Sequence, residues 1–257
     1  SKEFVMKDAY SFDMTEEGLN ESYEKMREAY LQILKRVGVT AIPTIAHTGE
    51  MGGSFSEEFM APSPAGEDKF VIGKGGKARK LEDITEEIDD KEIQVGIEIC
   101  HIFKLGTRYS MTMDLTYMNQ DGNHHPIIMG CYGIGVSRMI PTIIEQHQDN
   151  KGIVWPSEIS PFDAVVIPIR YDKQSVRDST DKVYSELLRG GFDVLLDDRV
   201  ISPGAKFKDN DLLGIPYKLI IGERGLKNST VELEHRNDGR KEIIALNNIV
   251  KEFAKRK

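Results

Sequence analysis

Residues 130–138, which read GCYGIGVSR, constrain the fold more than any other stretch of this chain. An apolar run at 127–129 precedes them, so the order predicts a strand that ends in glycines and a helix with Arg138 in its first turn. Glycines let a ligand approach the backbone closely, and a helix N-terminus and an arginine both favour phosphate. The spacing G-x-x-G-x-G is neither the dinucleotide fingerprint nor a Walker loop. A nucleotide site and a strand end packed tightly under a helix are therefore both open.

The composition is that of a globular protein with one large or two ordinary domains, since 39% of its 257 residues are hydrophobic and 30% are charged. No apolar run approaches the ~20 residues that span a bilayer, so we predict no membrane partner. The net charge of −8 argues against non-specific nucleic-acid binding. Residues 161–257 carry 18 basic and 16 acidic residues, which makes this third the better candidate for contacting a polyanion, although a solvated surface explains the bias equally well.

The pattern before residue 160 predicts a mostly antiparallel sheet with helices against it. We expect a strand over 3–12, a helix from a capping box of Asp13 and Glu16 to about Val37, and a hairpin turn at Asp121–Gly122. The polar segment 73–93 opens with GKGGK, which lacks Walker spacing and favours a flexible linker over a phosphate loop. Cys100 and Cys131 form no C-x-x-C pair, and we expect buried thiols.

The pattern after residue 160 changes to alternating strands and helices, which predicts a separate small α/β domain. Strands are expected at 164–169, 192–196, 217–222 and 231–234, and helices at 175–188 and 249–255. The predicted domains are therefore 1–160 and 161–257.

The glycine-rich stretch resembles motif 3 of class II aminoacyl-tRNA synthetases, in the form found in the bacterial-type prolyl-tRNA synthetase family. Other stretches resemble that family in the same order, with 69–93 as the weak zone: EF at 3–4, MKDAYSF at 6–12, GGS at 52–54, GED at 66–68, HIFKLGTRYS at 101–110, GIVWP at 152–156 and PGAKF at 203–207. The resemblance implies an α/β (α+β) fold with a partial class II antiparallel-sheet catalytic core and a small α/β anticodon-binding domain. The short segment at 69–93 implies that the family's large editing insertion is absent.

The resemblance also implies a function, proline–tRNA ligase, an enzyme that activates proline with ATP and transfers it to tRNA(Pro). Its implied partners are proline, tRNA(Pro), ATP with its Mg²⁺, and a second copy in a homodimer of the full-length enzyme. The implied location is the cytoplasm, or the mitochondrial matrix for an organellar enzyme. No resident metal site is predicted, because His124 and His125 lack further ligands and are expected to be exposed loop residues.

Site residues follow from the matched motifs. Arg138, Glu3 and Lys7 are the implied catalytic residues, and Glu3 and Lys7 would share one strand face while Asp8 lies on the other. The other groups are ATP binding by Phe4, Arg138, Gly133 and Gly135, a proline pocket of His101, Phe103, Gly130 and Cys131, and anticodon contacts from Asp197, Asp198, Arg199, Lys206, Phe207 and Asp209 around a loop at 203–204.

Each of these residues also has a purely structural interpretation: Arg138 as a surface ion pair, Phe4 and His101 as core residues, and the anticodon group as ordinary salt bridges. Lys2 stands where the family usually has arginine. Glu57 departs from the family's H-E-F, and the acidic pair Glu57–Glu58 favours a solvated turn over acid–base chemistry.

The chain begins inside motif 2, so we expect an N-terminally truncated part of a longer enzyme, which alone has little or no activation activity. The alternative is a non-catalytic tRNA-binding or regulatory paralogue that retains the fold.

Overall fold

The computed structural model describes residues 3–73 and 78–256, and these form two compact units, Ser1–Gln146 and His147–Lys257. None of the helices in the described ranges combines the length and hydropathy that a membrane span requires. Lys2, and residues 74–77 of the GKGGK stretch at which a flexible linker was predicted, lie outside the described ranges.

The first unit is built on a seven-stranded sheet with the order β1-β9-β6-β3-β2-β5-β4. Its pairs are antiparallel except β2 with β5. The elements are β1 (Met6–Asp13), α1 (Glu16–Arg36), β2 (Ile42–Ala46), β3 (Phe55–Pro62), β4 (Asp68–Ile72), β5 (Ala78–Lys80), β6 (Ile93–Gly106), α2 (Arg108–Thr112), β7 (Thr116–Met118), β8 (His124–Pro126), β9 (Ile128–Gly135) and α3 (Val136–Gln146).

Helix α1 covers one face of this sheet, because its apolar residues recur at helical spacing. Tyr23 and Tyr30 are buried, and their rings contact Tyr132 of β9 and Phe59 of β3 at centroid distances of 6.3 and 5.9 Å. The predicted capping box is wrong by two residues. Thr15 is the N-cap and accepts from the Gly18 amide, whereas Asp13 ends β1.

The strand register shows which residues lie on the face of the sheet opposite α1. Asp8 and His101 both pair with Gly133, and Glu58 pairs with His101, so these residues share one side. We call this side the open face and the other the α1 face. At Ile99 the register of β6 against β3 shifts by one residue, since Phe59 pairs with Cys100 and Met60 with Glu98.

The prediction of a flexible linker over residues 73–93 is partly wrong. Residues 78–80 form β5, which pairs with both β2 and β4, and short 3-10 turns follow at Leu81–Asp83 and Asp90–Glu92. Lys80 is thereby brought into the first unit.

The second unit contains a five-stranded mixed sheet with the order β13-β12-β14-β15-β16. Strands β13, β12 and β14 are parallel, and β14, β15 and β16 are antiparallel. The elements are β10 (Gln148–Asp149), β11 (Gly152–Ile153), β12 (Ala164–Pro168), α4 (Gln174–Arg189), β13 (Val194–Leu196), α5 (Pro203–Leu213), β14 (Tyr217–Ile221), α6 (Glu223–Lys227), β15 (Thr230–His235), β16 (Lys241–Ala245) and α7 (Ile249–Ala254).

Strand β12 is central because it is apolar on both faces. Ala164 and Val166 lie in a core shared with α4 and α7, whereas Val165 and Ile167 pack on the other side with Ile215. The loop predicted at 203–204 is wrong, because Ser202 caps a helix there, Pro203 occupies its first turn and Gly214 ends it in a left-handed conformation.

Candidate active site and RNA-binding surface

The glycine-rich strand β9 presents different glycines to its two faces. A Cβ on Gly133 would lie 2.7 Å from Met6 Cε and 3.8 Å from Asp8 Oδ1, on the open face. A Cβ on Gly130 would instead collide with the Tyr132 hydroxyl and lie 2.8 Å from Ser11 Oγ, on the α1 face. Gly133 thus leaves room for the end of Met6 on the open face, whereas Gly130 makes room for Tyr132 rather than for the predicted proline pocket.

Arg138, in the first turn of α3, stacks on Phe4. Its guanidinium carbon lies 3.5 Å from the centre of the phenyl ring, and its Nη1 donates to the Glu98 carbonyl over 3.1 Å. The two predicted ATP residues are therefore brought together, in direct contact, with no space for an adenine ring between them. Gly135 lies beneath Arg138, since a Cβ there would be 3.2 Å from Arg138 Cδ.

A cleft of about 210 Å³ adjoins Arg138 and joins it to three residues of the GED stretch. Its lining includes Gly66, Glu67, Asp68, Glu98, Pro141 and Glu145. The cleft therefore combines one arginine with several carboxylates.

His101 and Phe103 alternate along β6 and stack on each other, with ring centroids 3.9 Å apart. They pair with Gly133 and Cys131, which places all four residues on the open face. The Cys131 thiol is buried, and burial raises its pKa, as the nearby carboxylate of Asp8 also does. Burial raises the pKa of Cys100 to about 12. The prediction of two buried thiols is confirmed.

A largely buried polar cluster consists of His101 and the side chains around it, Glu58, Glu98 and Lys80. His101 Nδ1 lies 3.3 Å from Glu98 Oε1 and 3.7 Å from Glu58 Oε1, and Lys80 Nζ lies 2.9 Å from Glu58 Oε2. Glu98 Oε2 is 3.8 Å from Arg138 Nη1, so the cluster connects the arginine to the His101–Phe103 pair. Glu98 and His101 face the same side because of the register shift at Ile99.

The two glutamates of this cluster titrate differently. Burial raises the pKa of Glu58, and repulsion from Glu98 raises it further against the opposing charge of Lys80. Burial also acts to raise the pKa of Glu98, but hydrogen bonding to His101 and the charges of His101, Lys80 and Arg138 leave it lowered. Lys80 is kept protonated, because its carboxylate partners outweigh burial and raise its pKa.

The predicted solvated turn at Glu57–Glu58 is wrong. Both residues lie in β3 and are buried, on opposite faces. Glu57 points to the α1 face, where its Oε2 accepts hydrogen bonds from the Tyr23 hydroxyl and from Arg27 Nε, each over 2.9 Å. The sequence gives little sign of this burial, because the compensating residues lie about 30 positions away.

Glu3 and Lys7 are not brought to Arg138. Glu3 is exposed and precedes β1, so it has no strand face, and Lys7 points to the α1 face. There Lys7 Nζ donates to the Tyr30 hydroxyl over 2.7 Å, and burial lowers its pKa. The strand residue on the open face is Asp8.

Glu58, Glu98 and His101 form the one group of three potential metal ligands that occurs within the described ranges. The group offers one ring nitrogen and two carboxylates, whereas Mg²⁺ prefers oxygen ligands throughout. His124 and His125 are exposed as predicted, but they belong to β8 rather than to a loop, and they contact Thr116 and Asn119.

The candidate anticodon residues divide into two groups in the second unit. Arg199 is exposed and makes ion pairs with Asp197 and Asp209, while Asp198 is also exposed. Lys206 is fully buried and donates to the carbonyls of Pro168 and Asp197 over 3.0 and 2.8 Å.

The burial of Lys206 lowers its pKa. Phe207 is half-buried against the β12 core. The side chains of Asp198, Arg199 and Asp209 are therefore open to solvent, whereas Lys206 is enclosed in the fold and Phe207 packs against its core.

Comparisons with known proteins agree with this architecture. The family model for the tRNA synthetase class II core domain (G, H, P, S and T) matches residues 1–147, and the anticodon binding domain model matches residues 163–256. The curated proline–tRNA ligase of Rhizobium leguminosarum bv. trifolii is 36% identical over 98% of this chain and 65% of its own length. That of Rhizobium meliloti is 38% identical over 96% of this chain and 63% of its own.

A solved structure gives the same result for the fold. The prolyl-tRNA synthetase from Cryptosporidium parvum, in complex with L-proline and AMP, matches with a TM-score of 0.76 at 19% identity, covering 98% of this chain and 47% of that one. The chain thus spans a little under two thirds of these curated relatives. The predicted fold class and family resemblance are confirmed, and the chain belongs to the class II aminoacyl-tRNA synthetases.

Proposed function

We propose that this chain carries the proline-activating site and the anticodon-binding domain of a proline–tRNA ligase. One observation supports this most directly: Arg138, Glu98, His101 and Phe103 form a continuous row beside the glycine strand. An arginine that can bind phosphate lies at one end, and the stacked rings of His101 and Phe103 lie at the other. Relatives named proline–tRNA ligase align along nearly the whole chain.

The reaction needs orientation and charge compensation more than covalent chemistry. The proline carboxylate attacks the α-phosphorus of ATP, the bond to pyrophosphate breaks, and prolyl-adenylate forms. Arg138 would bind the nucleotide once the Arg138 side chain separates from Phe4. The guanidinium would then offer a planar donor, and the Phe4 ring an aromatic face. Mg²⁺ would arrive on the ATP phosphates, and Glu98 beside Arg138 is the carboxylate that would complete its ligands.

The amino-acid end of the site is formed by His101 and Phe103 above Gly133 and Cys131. Phe103 supplies an apolar wall for the proline ring, and Gly133 leaves space for it. Glu3, Lys7 and Gly130 are left outside this arrangement.

The second unit would recognise tRNA(Pro). Arg199, Asp198 and Asp209 provide donors and acceptors for base edges on one exposed surface. Three points remain predictions: the domain boundary at residue 160, the homodimer of the complete enzyme, and its cytoplasmic or mitochondrial location.

The experiment is proline-dependent ATP–pyrophosphate exchange by the protein as its organism expresses it, with the other amino acids as comparisons. Exchange with proline alone supports the proposal. In the same assay Arg138→Lys should raise KM for ATP about tenfold, because a point charge replaces a planar fork. Arg36→Lys, on an exposed residue of α1, is the matched control and should change nothing.

Two outcomes would contradict the proposal. Exchange with another amino acid would reassign the substrate. Specific binding of tRNA(Pro) without any exchange would favour the non-catalytic paralogue.

A further inference from the structure

Lys80 is a buried cation supplied by the short segment between β4 and β6. Its strand β5 pairs with β2 and β4, and only 12% of its side chain is exposed. Its Nζ lies 2.9 Å from Glu58 Oε2 and 3.4 Å from Asp68 Oδ1. Lys80 does not belong to the row of residues described above; Glu58 connects it to His101, and Asp68 connects it to the cleft beside Arg138.

Glu58 transmits this contact to His101. Its second oxygen, Oε1, lies 3.7 Å from His101 Nδ1, on the same ring atom that faces Glu98 at 3.3 Å. Two carboxylates beside Nδ1 favour the tautomer with its proton on that atom, and in this neutral tautomer Nε2 is the acceptor. Nε2 is buried and has no hydrogen-bond partner among the described residues, and the ring is stacked on Phe103.

We propose that Lys80 is a positioning residue for amino-acid binding, which acts by fixing the Glu58 carboxylate and, through it, the ring of His101. The inference rests on the proposed function, in which His101 and Phe103 line the amino-acid end of the site. The unpartnered Nε2 then accepts a hydrogen bond from the secondary ammonium group of the amino acid.

The charge balance explains why a cation is needed at this position. Glu58 and Glu98 both face Nδ1, and two carboxylates on one buried atom repel each other. Arg138 offsets Glu98, and Lys80 offsets Glu58. Without Lys80 the Glu58 side chain loses the partner of one oxygen, and His101 loses the fixed neighbour that orients its ring.

The kinetic test uses Lys80→Met, which keeps most of the length of the side chain and removes its charge, in the enzyme as its organism expresses it. We expect KM for proline to rise about tenfold, with kcat and KM for ATP within about twofold of wild type. Lys80→Arg should restore most of the proline affinity. Lys69→Met, on an exposed residue of the neighbouring strand β4, is the control and should match wild type.

The effect must also run through Glu58. Glu58→Gln should reproduce the rise in KM for proline, and the double variant should be no worse than either single one, since both remove the same link. Additive effects, an unchanged KM for proline in Lys80→Met, or failure of Lys80→Arg to rescue would each overturn the proposal.

A spectroscopic readout separates this inference from the proposed function. In ¹⁵N-histidine spectra, the ring nitrogens of His101, assigned by their loss in His101→Gln, should show a protonated Nδ1 and an acceptor Nε2 in wild type and in Lys80→Arg, but a mixture of tautomers in Lys80→Met. Identical His101 signals in Lys80→Met would overturn the positioning role even if the enzyme is active. Absence of proline-dependent exchange in wild type would refute the proposed function and, with it, the binding role.

Discussion

Gly130 and Gly133 lie three residues apart on β9 but face opposite sides of the sheet, and alanine at each position should have a different effect. At Gly130 the new methyl group would collide with the Tyr132 hydroxyl, which is hydrogen-bonded to Ser11 Oγ over 3.0 Å. At Gly133 it would meet only the end of Met6, a flexible side chain that is 41% exposed.

The cost of each substitution follows from these neighbours. Overpacking a buried site costs about 1–3 kcal/mol, and losing the Tyr132–Ser11 hydrogen bond costs about 0.5–1.5 kcal/mol. Gly130→Ala should therefore lower the stability of the first unit by roughly 2–4 kcal/mol. Gly133→Ala should change stability by only about 0.5 kcal/mol, because Met6 can move, and should instead raise KM for proline.

Hydrogen exchange followed by mass spectrometry measures the change in stability of the first unit in each variant, with the second unit of the same molecule as a reference. In Gly130→Ala, peptides from β1, β6 and β9 should exchange roughly 30- to 1,000-fold faster, while peptides from β12 and β14 in the second unit serve as internal controls. Equal protection in the two variants would refute the assignment of the two faces, as would a large loss of stability in Gly133→Ala with normal proline binding.

Three further predictions concern buried charges. Lys206→Met should lower the stability of the second unit by about 3 kcal/mol, since it removes the donor to the carbonyls of Pro168 and Asp197. Urea unfolding followed by the fluorescence of Trp155, the single tryptophan, will measure this loss of stability. Hydrogen bonds from Arg199 and Asn210 outweigh burial and lower the pKa of Asp197, so its stabilisation is complete above its unfolded pKa of about 3.9 and is lost as pH falls through the folded value. Asp197→Asn should remove that acid dependence, and a wild-type acid slope in this variant would contradict the reasoning. Glu57→Gln should cost about 1.5–3 kcal/mol of the first unit's stability, because a charge-assisted pair is lost, with circular dichroism as the measurement.

Local patterns predicted much of this architecture. The glycine strand, the helix with Arg138 in its first turn and the apolar strand β12 each carry their own signal over a few consecutive residues. The family resemblance supplied the order of the domains. The signals for α5, namely Ser202, Pro203 and Gly214, were also present, but glycine and proline together favoured a loop.

The buried charges could not be predicted in the same way. Whether Glu58 is solvated or buried depends on Lys80, which lies 22 positions later on a three-residue strand in a polar segment. The same is true of Lys206, whose acceptors include a carbonyl 38 positions away. Such partners meet only after the sheets have formed, so a charged residue resembles a surface residue until its distant partner is known.

Because of the register shift at Ile99, the side of the sheet on which Glu98 lies depends on the number of residues between Glu98 and His101 in β6. Downstream of it, His101 and Phe103 follow simple alternation, and upstream of it the count is offset so that Glu98 returns to the open face. If β6 alternated regularly through Ile99, Glu98 and His101 would lie three residues apart and therefore on opposite faces, with Glu98 turned toward α1 and away from Arg138. The nucleotide end and the amino-acid end of the row are thus joined by one extra residue in one strand, and comparisons between relatives that ignore it would assign Glu98 to the wrong side of the sheet.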